Sequence, residues 1–118
     1  MMIYRPADAK DMEAGVPPTQ DEMAKMGAFI GELAQSGVLL ATDGLLPSSK
    51  GARVRLARGK LTVTDGPFTE TKELIAGFAI VDVKSRVEAV ELAERFLKIA
   101  GDGESEIRQM YDTPAFAR

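Results

Sequence analysis

The chain has 118 residues, 45% of them apolar and 28% charged, the make-up of a single soluble domain spanning residues 1–118. It contains neither Cys nor His, which removes disulfides, thiolate nucleophiles, Cys- or His-ligated metals and imidazole catalysis, so any proton transfer falls to a carboxylate, Lys or Tyr of shifted pKa. The net charge of −3 argues against a nucleic-acid binder. No apolar run approaches the roughly 20 residues that span a bilayer, and Met1–Lys10 has no secretory h-region, so a cytoplasmic protein without membrane, metal or cofactor is expected.

In chain order, Met1–Tyr4 reads as a strand end stopped at Arg5-Pro6, where proline cannot donate to a ladder. Ala7–Pro18 reads as loop. Thr19 and Glu22 form a capping box, and Met23, Met26, Ile30, Leu33 and Ala34 line one face of a helix from about Gln20 to Ser36, closed by Gly37. Val38–Thr42 is a strand. A hairpin follows, in which a two-residue turn at Arg58-Gly59 pairs Leu56 with Leu61 and Val54 with Val63, with Arg53, Arg55, Thr62 and Thr64 on the opposite side. Leu74–Val83 is a strand apolar on both faces, with Phe78 and Ile80 on one and Ala79, Val81 and Val83 on the other. Ser85 and Glu88 form a second capping box, opening a helix to about Ala100 with Ala89, Ala93, Phe96, Leu97 and Ala100 inward. Glu106–Tyr111 reads as the last strand.

Strand, helix, strand, hairpin, strand, helix, strand is the order of an α+β, ferredoxin-like βαβ-βαβ fold: an antiparallel sheet with two helices on one face. Those helices leave the second face of the Ala76–Val83 run uncovered. A homodimer packing sheet against sheet covers it most simply.

The polar chemistry concentrates in Thr64–Glu73, between two strands. Asp65-Gly66-Pro67 has turn chemistry, and Asp65 caps that turn in one reading. In the other, the turn lifts Glu70 and Lys72 to a pocket rim, where Asp65, Glu70 and Lys72 are candidate catalytic residues for acid–base chemistry of a lyase or isomerase type. Arg53, Thr64, Phe68 and Tyr4 are candidate contacts for a small anionic or aromatic ligand. The same pattern also suits a non-enzymatic interaction or regulatory module whose turn is structural.

The stretch Asp65-Gly66-Pro67-Phe68-Thr69-Glu70-Thr71-Lys72-Glu73, with Leu46–Arg53 before it and Ala76-Gly77-Phe78 and Glu106–Gln109 after it, resembles the YCII-related, or DGPF-domain, family. That resemblance implies a dimeric, ferredoxin-like α/β barrel whose function is mostly unassigned. In shorter relatives a His–Asp pair is proposed in a pocket beside the sheet, and one relative is a dehydrochlorinase of a chlorinated aromatic. With no His here, and with the corresponding helix position falling near Met26 in an apolar stripe, that His–Asp chemistry does not transfer.

Overall fold

The computed structural model describes residues 1–68 and 74–111. Four strands form one antiparallel sheet: β1 (Met2–Pro6), β2 (Leu39–Gly44), β5 (Gly77–Val81) and β6 (Gly103–Ile107), in the spatial order β2-β5-β1-β6. A separate two-stranded sheet is the hairpin β3 (Ala52–Ala57) and β4 (Lys60–Asp65). The described residues also hold three α-helices, α1 (Lys10–Glu13), α2 (Gln20–Gln35) and α3 (Arg86–Ala100). The four-stranded sheet is open, and no barrel closes within the described residues. No described helix is long and apolar enough to cross a membrane.

Local sequence sets the element ends. Thr19 accepts from the Glu22 amide at 3.1 Å while the Glu22 carboxylate accepts from the Thr19 amide at 3.4 Å, so α2 starts with the expected reciprocal box. At α3 the box is only half formed. Ser85 accepts from the Glu88 amide, but Glu88 takes the Lys84 amide instead, at 2.7 Å. The hairpin forms in the expected register, Val54 opposite Val63 and Leu56 opposite Leu61. Arg58 and Gly59 both take positive φ, 53° and 78°, the turn whose twist matches the flanking strands.

Three expectations are corrected. Ala7–Pro18 is not all loop, since Lys10–Glu13 forms the single helical turn α1, just before which Asp8 accepts from the Lys10 amide at 2.9 Å. The last strand runs Gly103–Ile107 rather than Glu106–Tyr111, because its register is dictated by β1: Pro6 pairs with Gly103, Met2 with Ile107, and Met1 and Arg108 exchange two further bonds, Arg108 N to Met1 O and Met1 N to Arg108 O. The central strand is shorter than Leu74–Val83, covering Gly77–Val81 between β1 and β2.

Register sorts the sheet into two faces. Met2, Tyr4, Ala79, Val81 and Ile107 share the face beneath the helices, where the Tyr4 ring meets the Phe96 edge at 5.0 Å between centroids. Ile3, Phe78 and Ile80 share the other face with Arg5, Glu104 and Glu106. Arg5 bonds Glu106 at 3.0 Å, and Arg108 bonds the same carboxylate at 3.3 Å. α2 and α3 both lie on the first face.

The helices are tied together by Arg95 and Glu32 at 2.8 Å, and the Arg95 guanidinium lies 4.9 Å from the Phe29 ring centroid. Phe29 and Leu33 of α2 and Ala89 and Ala93 of α3 are the buried residues of that layer. Phe29 sits on the flank of the predicted stripe, turned towards α3, which is why periodicity alone did not pick it out.

Candidate functional site

The space between the helices and the sheet is not filled. A cavity of about 570 Å³ opens there. Its floor is built from the helix-facing positions of the strands, where Met2, Tyr4 and Val81 are joined by small residues that leave room: Gly77 and Ala79 on β5, Thr42 and Gly44 on β2, Ser105 on β6. Gly77 is fixed by the approach of the neighbouring strand, since a Cβ there would come within 2.7 Å of the Asp43 carbonyl oxygen. Met23, Met26, Ile30 and Leu33 of α2 roof the cavity, and Leu92, Phe96 and Ile99 of α3 close one side. A predominantly apolar lining with a few polar groups is the usual constitution of a small-molecule site.

Tyr4 brings a polar group to this cavity. Its hydroxyl points at the carbonyls of Asp102 and Gly101 at 3.4 and 3.5 Å, both long for an O–H donor. Burial, and secondarily the Asp102 carboxylate, raise its pKa above the ordinary phenol value. Tyr4 is therefore a neutral donor here and not a base. Thr42 donates to the Phe78 carbonyl at 2.9 Å, which leaves its oxygen free to accept. Glu22 also lines the cavity; Asp43 borders it by its backbone, since it pairs with Phe78 and its side chain belongs to the other face, and no Lys or Arg is among the described lining residues.

The Asp65–Phe68 turn is a different kind of place. It is laced to two distant segments. The Glu13 carboxylate accepts from the Ser48 amide at 2.6 Å and from the Ser48 hydroxyl, and that hydroxyl accepts from the Phe68 amide at 3.0 Å. Gly66 donates to the Gly51 carbonyl at 3.0 Å. A Cβ on Gly66 would lie 1.7 Å from the Ser48 carbonyl oxygen, so only glycine fits this crossing. The Gly66-Pro67 peptide is cis. Arg53 lies across the hairpin from Thr64 and stacks its guanidinium 4.0 Å over the Phe68 ring.

Four of the sequence-derived candidates, Arg53, Thr64, Asp65 and Phe68, thus come together at the base of the hairpin. Tyr4 stands apart from them, in the cavity, whose lining includes none of the four. Glu70 and Lys72 lie outside the described residues. Among the described residues no three His, Cys, Asp or Glu side chains converge to hold a metal.

A family profile for the YCII-related domain matches residues 2–112. The chain belongs to the YCII-related domain family. An uncharacterised protein of Rhizobium meliloti (strain 1021) is 35% identical to it over 71 residues, 60% of this chain and 57% of the relative. The matched stretch is a little over half the length of that relative.

In this YCII-related domain, sequence reasoning missed Thr42, Glu13 and Ser48. Thr42 read as an ordinary strand residue, and only its pairing with Ala79 brings it to the cavity floor. Glu13 and Ser48 are 35 residues apart in stretches that read as loop, with no periodic signal to join them. Gly77 and Ala79 did carry a signal: small residues alternating along a buried strand mark a floor that leaves room above it.

Proposed function

We propose that this chain is a small-molecule-binding protein whose site is the cavity over Gly77 and Ala79, and that it works as a homodimer of ferredoxin-like units whose open sheet faces meet to complete an α/β barrel. The single observation that carries the binding reading is the cavity itself, about 570 Å³ between helices that are otherwise packed and ion-paired. The strand order β2-β5-β1-β6 with helical crossovers supports the ferredoxin-like reading. Ile3, Phe78 and Ile80 share the face away from α2 and α3 and are only half-buried there, which supports the dimer.

The chemistry of the lining narrows the ligand. Two methionines, Phe96 and aliphatic side chains favour an apolar or aromatic body, for which thioether sulfur and ring edges are adaptable partners. Tyr4 offers a neutral donor, so a carbonyl, ether or hydroxyl oxygen suits that end. An anion is disfavoured beside Glu22, with no Lys or Arg in the described lining to offset it. In this proposal the Asp65–Phe68 turn holds the hairpin base in place, and ligand binding does not require Asp65, Glu70 or Lys72.

The test is titration with an environment-sensitive aromatic dye, together with native mass spectrometry for any molecule that co-purifies. Ala79→Leu fills the floor and should weaken dye binding at least tenfold. Tyr4→Phe should weaken oxygen-bearing ligands by several-fold, on the scale of about 1 kcal/mol for one neutral hydrogen bond. Unchanged binding in Ala79→Leu would place the ligand elsewhere. Loss of binding in Asp65→Ala, with Ala79→Leu unaffected, would return the site to the turn and favour acid–base chemistry by Asp65, Glu70 and Lys72.

A further inference from the structure

We infer that the β3–β4 hairpin is an arm that docks on a second copy of this chain, with Val54, Leu56, Leu61 and Val63 seated against the partner and Arg58, at the turn between the two strands, reaching the partner's acids. This rests on the homodimer reading and adds a surface to it. Every residue of both hairpin strands is exposed, and the four apolar side chains of one face are 65% to 69% exposed. A lone two-stranded ribbon is marginally stable in water, and a contiguous apolar face of this kind marks an interaction surface.

Charge identifies the occupant. Lys50, Arg53, Arg55, Arg58 and Lys60 are five of the chain's fifteen cations, and the segment 50–60 holds none of its eighteen acids. The remaining ten cations and eighteen acids give the rest of the chain a net charge of −8. Among the described residues, Arg55, Arg58 and Lys60 make no ion pair. A basic arm on an acidic body complements a second copy of that body. The same acidic body is repelled by a nucleic acid or an anionic membrane.

Sedimentation equilibrium over a range of concentrations, on the full chain and on Leu56→Glu, tests the arm. The dissociation constant of the dimer should rise at least tenfold in Leu56→Glu, and dimerisation of the unmodified chain should weaken with salt. A second measurement needs no variant: zero-length carbodiimide cross-linking of an equal mixture of ¹⁴N- and ¹⁵N-labelled protein should give mixed-isotope cross-links from Lys60 to Asp or Glu. A chain that is monomeric at every concentration overturns the homodimer reading and the arm together. A dimer whose affinity is unmoved by Leu56→Glu, and whose Lys60 cross-links are all within one chain, overturns the arm alone. Retention on anionic vesicles or DNA without self-association also overturns it.

Discussion

The cavity over Gly77 and Ala79 and the turn at Asp65–Phe68 are built on opposite plans. The turn is contiguous in sequence, dense in polar atoms and tight enough that a single Cβ has no room. The cavity is assembled from residues scattered between Met2 and Ser105, is almost wholly apolar, and is open where Gly77, Ala79 and Ser105 leave room in its floor. A conspicuous run of polar residues is therefore a guide to where the backbone needs fixing as much as to where chemistry occurs. A site can be encoded by what is missing from alternate strand positions.

The sharpest way to break this contrast is at Gly66. Gly66→Ala drives a Cβ into the Ser48 carbonyl, a backbone atom that cannot swing aside, and should cost about 3 kcal/mol or more in urea unfolding. Gly31→Ala, on α2 with nothing within 4 Å of the added Cβ, should instead stabilise by about 0.5–1 kcal/mol. Equal effects at the two sites would remove the crossing as the reason for glycine at 66.

Ser48→Ala comes next. It strips the Phe68 amide and the Glu13 carboxylate of a shared partner, and about 1–3 kcal/mol should be lost. Dye binding in the cavity should stay within twofold. A binding loss as large as that of Ala79→Leu would mean that the two regions are one functional unit.

The smallest effect is electrostatic. Hydrogen bonds from Arg108 and then Arg5 hold the Glu106 carboxyl below its ordinary value, and Arg95 does the same for Glu32. A carboxyl with a depressed folded-state pKa contributes stability above its unfolded value and loses it as pH falls through the folded one. Both side chains are exposed to solvent screening, so the acid-side loss should be shallow, and it should flatten further in Glu106→Gln. A loss of stability as pH rises from neutrality would have the wrong sign for either pair.

Much of the fold is legible in the sequence because it is set by local alternation and caps. Val54/Val63 and Leu56/Leu61 around Arg58-Gly59, and Thr19 with Glu22, specify their elements without help from the rest of the chain. The β6 register is not legible, because it is decided by pairing with β1 roughly a hundred residues away, not by Gly103–Ile107 themselves. The candidate site was read only in part. Tyr4 could be named as a strand-end donor, but the cavity needs β1, β2 and β5 in register beneath α2 before its empty floor exists. The Glu13–Ser48 tie is equally non-local.

The claim that matters most is that the space above Ala79 is a preformed void and not a core that closes in solution. Urea unfolding of Ala79→Leu, without ligand, measures this directly. A void accepts the added methylenes and should leave stability unchanged or raised by about 1 kcal/mol. A loss of about 1–3 kcal/mol, the cost of overpacking a filled core, would contradict the account.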